Sequence, residues 1–218
     1  MSDFTEIFDE ISALLQKGKA KDIVGVVEKA LSEGAGAADI LEKGLMSGMN
    51  IIGTKFKNGE VFVPEVLIAA RAMNRASAAL KPVLVRDGIK PVGQAIICTV
   101  KGDLHDIGKN LVRMMIEGKG IEVLDLGVDC TSEKIIETIQ NSDARVLCLS
   151  ALLTTTMTNQ QDVIDALKTA GLRDKVKIMV GGAPVTQGFA DEIGADAYSP
   201  DAATAAEVCR NFFSQPSR

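Results

Sequence analysis

The chain is poor in the residues that build most reactive sites. Its 218 residues hold one histidine, His105, one tyrosine and no tryptophan. A lone histidine and four dispersed cysteines, Cys98, Cys130, Cys148 and Cys209, lack the ligand spacing of a structural zinc site. With no Cys-x-x-Cys pair they suit reduced thiols, and Cys98 and Cys148 fall in apolar, strand-like runs. Neither G-x-G-x-x-G nor a Walker lysine motif is present, which removes the main support for dinucleotide or nucleoside-triphosphate binding. The scarcity of aromatics argues against a flavin pocket. No run approaches about eighteen apolar residues, so no membrane span is expected. The acidic opening stretch has no apolar signal core, so a cytoplasmic protein is expected. A net charge of -5 argues against a nucleic-acid surface.

What the chain does have is apolar residue in quantity. At 46% hydrophobic and 24% charged, it can bury a core as one large domain or two small ones. No strand pattern occurs before about residue 92. Phe4, Ile7, Phe8, Ile11, Leu14 and Leu15 share one helical face, and Gly18 stops it. A second stripe runs over Ile23, Val26, Val27, Ala30 and Leu31, and a third over Leu41, Leu45, Met49, Ile52 and Phe56. Asn58-Gly59 marks a turn, and Pro64 suits the first turn of a fourth helix. Residues 1–89 thus read as a four-helix bundle, with Lys81 to Pro91 as a linker rich in proline.

From residue 90 to 218 apolar strands alternate with helices. Strands are predicted at Gln94–Thr99, Glu122–Asp125, Arg145–Ser150, Lys175–Val180 and Ala195–Tyr198. Helices are predicted at Ile107–Glu117, Ser132–Gln140, Asn159–Ala170, Val185–Glu192 and Ala202–Phe213, with Thr131 or Ser132 as a cap. The fold class is α/β: the bundle, then a flavodoxin-like, doubly wound, five-stranded parallel sheet. Ligands of such sheets bind at the carboxyl ends of the strands.

The only histidine sits at such an end, in Thr99-Val100-Lys101-Gly102-Asp103-Leu104-His105-Asp106-Ile107-Gly108. Asp103 can fix the tautomer of a metal-bound His105 through its other ring nitrogen, and Gly102 and Gly108 allow a bulky group to approach. Ser150-Ala151-Leu152-x-Thr154 follows the third strand and Gly181-Gly182 the fourth. Small residues and hydroxyls there can form a slot for a flat, tethered tail. Alone, each pattern is ordinary loop chemistry. Together they resemble the motifs of cobalamin-binding domains in which a protein imidazole replaces the cofactor's own base beneath cobalt. The stretch Met49-Asn50-Ile51-Ile52-Gly53-x-x-Phe56-x-x-Gly59-Glu60-x-Phe62-Val63-Pro64 resembles the helical cap preceding that domain in methionine synthase and in corrinoid proteins of methyltransferase systems.

The resemblance implies a helical cap domain over 1–89 and a Rossmann-like cobalamin-binding domain over 90–218. It implies cobalamin, as methylcob(III)alamin or cob(I)alamin, with His105 as metal ligand. Asp103, Gly108, Ser150, Leu152, Thr154, Gly181 and Gly182 would surround the cofactor, with Ser150 and Thr154 bonding the tail or the Asp103 network. Phe56 and Val63 would shield the methyl-bearing face. The implied function is a methyl carrier, not catalytic alone. It would serve a substrate-specific methyltransferase for a methylated amine, betaine, methanol or methoxyarene, and a second methyltransferase acting on tetrahydrofolate or a thiol. A reductive activation protein is a further implied partner, and nucleic acid and membrane are not. A cobalamin-dependent sensor is the alternative, disfavoured by the missing basic patch and DNA-binding extension.

Overall fold

The structure is a computed structural model and describes residues 4–214. It divides into two compact units, one running to Pro91 and including Gly118–Gly120, the other taking Val92–Glu117 and the chain from Ile121 onward.

The first unit is helical. α1 (Thr5–Gln16) and α2 (Asp22–Ser32) bury the predicted stripes, with Ile11, Leu15, Ile23 and Val27 fully enclosed. The third predicted helix is not uniform. It opens as α3 (Ala37–Asp39), widens into a π-helical stretch over Ile40–Met46, and continues as α4 (Ser47–Lys57). Gly44 and Gly48 lie one turn apart on its α1-facing side. A Cβ at Gly44 would stand 2.9 Å from Ile11, and one at Gly48 would stand 3.0 Å from the Ser12 backbone, so the two glycines set how closely α1 approaches.

α5 (Val63–Arg86) opens with Pro64 in its first turn, and the Glu65 carboxylate accepts the Phe62 N–H at 3.0 Å. It also corrects the expected linker: the helix passes through Pro82 and ends at Arg86, leaving 87–93 outside helix and strand. Proline's fixed φ is helical, and the bond it deletes falls on an exposed side at Ala78 and Pro82, where water can take the carbonyl. Leu80, fully buried and two residues before Pro82, holds the helix down.

The second unit has the expected sheet. β1 (Gln94–Thr99), β2 (Glu122–Asp125), β3 (Val146–Ser150), β4 (Lys177–Gly181) and β5 (Ala197–Tyr198) are all parallel, in the order β2-β1-β3-β4-β5. α6 (Ile107–Glu117) packs with α11 (Ala202–Ser214). α7 (Ser132–Gln140), capped by the Thr131 hydroxyl, packs with α9 (Asn159–Thr169), which also meets α10 (Gln187–Ile193). Along β1, Ile96, Cys98 and Val100 join the core with Ile135, Ile139, Ile164 and Ile193, while Ile97 and Thr99 point to the opposite face. Both faces are therefore covered, which is why the strands read as continuous apolar runs.

Register decides what these strands deliver. Thr99 pairs with Ser150, and Ser150 with Gly181, so the carboxyl ends of β1, β3 and β4 form one row. Gln160, fully buried, ties that row: its amide donates to the carbonyls of Leu149 and Gly181, each at 3.1 Å. Gly182 has φ +128°, and a Cβ there would stand 1.7 Å from the Ala151 carbonyl oxygen. Gly182→Ala is therefore expected to lose on the order of 3 kcal/mol, read as a lower midpoint in urea unfolding. An unchanged midpoint would mean the β4 loop relaxes freely.

Candidate functional site

The loop between β1 and α6 carries the histidine, and its shape follows from its first residues. Gly102 has φ +78°, and its N–H donates to the Asp129 carboxylate at 2.7 Å. The turn sends Asp103 inward, where its side chain is fully buried, and His105 outward, where half of its side chain stays exposed. The Thr99 hydroxyl donates to the His105 carbonyl at 2.8 Å, pinning the loop to the strand it left.

Asp103 is the centre of the arrangement. Its Oδ1 accepts the His105 backbone N–H at 3.0 Å and lies 2.8 Å from the ring Nδ1. Its Oδ2 accepts the Leu152 backbone N–H at 2.8 Å and the Thr156 hydroxyl at 2.6 Å. Burial alone would push this carboxyl up. The Thr156, Leu152 and His105 donors outweigh it and hold the group well below the usual carboxylate range. An ionised Asp103 makes Nδ1 the protonated, donating nitrogen of the ring and leaves the Nε2 lone pair free for a metal.

The predicted residues fall as follows. Asp103, His105 and the Leu152 backbone are joined directly. Ser150 ends β3 beside Gly181, and Gly182 packs against Ala151. The hydroxyl on Asp103 is that of Thr156; of the two roles the resemblance implied for Ser150 and Thr154, the tail or the Asp103 network, the second is filled by this third residue. Thr154 opens a separate short turn, α8 (Thr154–Met157), which leaves it exposed and turns Thr156, two residues on, into the interior. Sequence offered three consecutive threonines and no periodic signal to choose between them. Phe56, in the last turn of α4, and Val63, the first residue of α5, belong to the helical unit, where both are half-buried and Phe62 between them is 67% exposed.

Around the ring the surface is apolar and open. Leu104 is 71% exposed, Ile107 79%, and Leu152 and Leu153 just over 40% each. A Cβ at Gly108 would meet nothing within 4 Å, so no neighbour within the fold explains that glycine. Among the described residues no group of three His, Cys, Asp or Glu could hold a metal ion. His105 is thus a single nitrogen donor beside an exposed apolar surface. All four cysteines are free and buried. Among the described residues no helix is long and apolar enough to cross a membrane.

Comparison with known proteins agrees with this geometry. Two family models, each described as a B12 binding domain, match residues 93–208 and 7–81. Dimethylamine corrinoid protein 3 of Methanosarcina acetivorans is 42% identical over 94% of this chain and 96% of its own. The dimethylamine corrinoid protein of Methanosarcina barkeri is 44% identical over 92% and 94%. Among solved structures, the methanol:cobalamin methyltransferase complex of Methanosarcina barkeri aligns with a TM-score of 0.86 at 28% identity, covering 97% of this chain and 81% of that one. A cobalamin-binding protein of Desulfitobacterium hafniense aligns at 0.78 with 30% identity, covering 94% and 98%.

The Asp103 cluster yields a pH prediction. A carboxyl depressed in the folded state stabilises the fold at every pH above its unfolded value of about 3.9 and loses that contribution as pH falls toward the folded value. Thr156→Val removes one donor with little change of shape. It is expected to cost about 1.5–3 kcal/mol at pH 7 and to make the loss of stability on acidification shallower. Thermal unfolding from pH 7 down to about 1.5 checks both, because the two proteins diverge only well below the unfolded value of about 3.9; curves parallel over that whole range would remove Thr156 from the network.

Proposed function

Because this chain belongs to the B12-binding corrinoid proteins of methyltransferase systems, we propose that it carries a methyl group between two partner enzymes, with His105 as the protein ligand to cobalt. That it binds a corrinoid follows from the family. The residues present fit such a group: one imidazole with its Nδ1 engaged, exposed apolar side chains beside it, and open space over Gly108. The observation that carries the reading is the 2.8 Å contact between Asp103 and His105 Nδ1, which orients a half-exposed ring at the end of β1.

When bound, the corrinoid supplies the cobalt that accepts and gives up the methyl group. The chain supplies the rest. His105 Nε2 would be presented to the metal, and the buried Asp103 orients the ring through Nδ1. Thr156 and the Leu152 N–H keep Asp103 ionised throughout, so the charge available to the ring stays constant. Leu104, Ile107, Leu152 and Leu153 offer apolar contact to a broad macrocycle, and Gly108 leaves room for it. The row Ser150, Gly181 and Gly182 lines the slot for the cofactor's tail.

The methyl donor we assign is a methylated amine, delivered by a substrate-specific methyltransferase. The support is the naming of the relatives, which are monomethylamine and dimethylamine corrinoid proteins. The acceptor, tetrahydrofolate or a thiol, belongs to a second methyltransferase, and a reductive activation protein restores the carrier.

Two measurements test this. The reconstituted protein is incubated with methyltransferases for mono-, di- and trimethylamine, glycine betaine, methanol and a methoxyarene. Methylation of the corrinoid is expected with an amine system; transfer from none of them would reject the carrier reading. His105→Ala is expected to retain corrinoid through the tail slot while losing the nitrogen splitting of a protein imidazole in electron-spin spectra. Persistence of that splitting would mean that another group ligates the metal.

A further inference from the structure

Among the described residues two charged side chains are fully buried, Asp103 and Lys109, and they bracket the only histidine, two residues before it and four after. The first is explained by the ring it orients. The second is unused by anything above. Lys109 lies in the first turn of α6, and its Nζ donates to both carboxylate oxygens of Asp125 at 2.7 Å and to Asn110 Oδ1 at 2.9 Å. Arg113 adds a longer contact to Asp125, at 3.6 Å.

These bonds continue toward the histidine by two routes. Asp125, the last residue of β2, accepts the Gly127 N–H at 2.9 Å; the Gly127 carbonyl accepts the Thr99 N–H at 3.0 Å; and the Thr99 hydroxyl donates to the His105 carbonyl at 2.8 Å. On the other side, Asn110 donates to the Asp106 carboxylate at 3.1 Å and its backbone N–H to the Asp106 carbonyl at 2.7 Å. The residue bearing the ring and the one after it are thus both tied to one ion pair at the end of β2, its lysine buried and its aspartate reached by solvent.

Burying an ammonium group costs several kcal/mol before its partner repays it, and an apolar side chain of similar length would fill the same space without that cost. Packing alone therefore does not call for lysine here. A cation seated in a carboxylate fork supplies what packing does not, a single register of helix against strand. We propose that Lys109 is a positioning residue: by locking the first turn of α6 to the end of β2 it sets the place of the His105 backbone, and so where the imidazole stands.

The test uses the sole histidine as its own reporter, since one imidazole gives one pair of ring nitrogen signals. The double variant Lys109→Met/Asp125→Asn removes the charges together, strands neither, and preserves the acceptor for the Gly127 N–H. It is expected to unfold near the wild-type midpoint, yet its ring signals should move from the Asp103-bound pattern toward those of a free imidazole. When loaded with cob(II)alamin it should lose the protein-nitrogen splitting while still retaining the corrinoid. Wild-type ring signals and wild-type splitting in the double variant would overturn the proposal. Should that variant not fold, Asp125→Asn alone keeps the shape and weakens the pair; a shift of the ring signals in the same direction supports the assignment, and wild-type signals overturn it. The ring signals are read without cofactor, so this outcome is separable from the carrier reading, on which only the second readout rests.

Discussion

A carboxylate removed from water at the end of a parallel strand governs the candidate site. Asp103 takes hydrogen bonds from its own loop, through the His105 backbone and ring, and from the segment after β3, through Leu152 and Thr156. A buried anion is tolerable only when its lone pairs are met, and each donor here is one the fold supplies at fixed geometry. The same bonds that keep it charged also keep the imidazole in one tautomer and one direction. Orientation and electrostatics at the ring are one interaction, not two.

That interaction depends on sheet order. With β1 between β2 and β3, the chain leaves β1 for one side of the sheet and later returns to the other. The loops after β1 and β3 consequently stand side by side at the switch point, where open α/β sheets bind their ligands. Register completes the arrangement: the Thr99–Ser150–Gly181 row places the three motif-bearing loops level with one another. A slip of one residue along β3 would reverse every side chain on it and withdraw the Leu152 and Thr156 donors from Asp103.

Charge and apolar surface are divided between the two sides of the loop. Inward lie Asp103 and Lys109, both buried and both satisfied. Outward lie Leu104 and Ile107, each more than 70% exposed, beside a glycine whose missing side chain leaves space that the fold does not use. Large exposed apolar residues next to an oriented imidazole are costly in water and useful under a cofactor. In the B12-binding family the chain belongs to, that cofactor is a corrinoid.

Sequence by itself determined the fold class and the approach to the chemistry. Continuous apolar runs alternating with helical stripes specify a doubly wound parallel sheet, because only a strand covered on both faces can be apolar throughout. A single histidine two residues after an aspartate, at the end of the first such run, located the loop without any knowledge of its partners. Tertiary structure decided what no local pattern encodes. Three adjacent threonines are equivalent until α8 turns one of them inward, and it is Thr156 that meets Asp103. Pro82 reads as a helix end, yet tertiary burial of Leu80 carries α5 past it. Lys109 looks like a solvated lysine on an amphipathic helix until the end of β2, sixteen residues later in the chain, brings Asp125 to its ammonium group. For Thr156 and Lys109 the deciding contact joins separate segments, and the order and register of the strands set it; for Pro82 it is the packing of the helical unit around Leu80, and neither is encoded by the residues alongside.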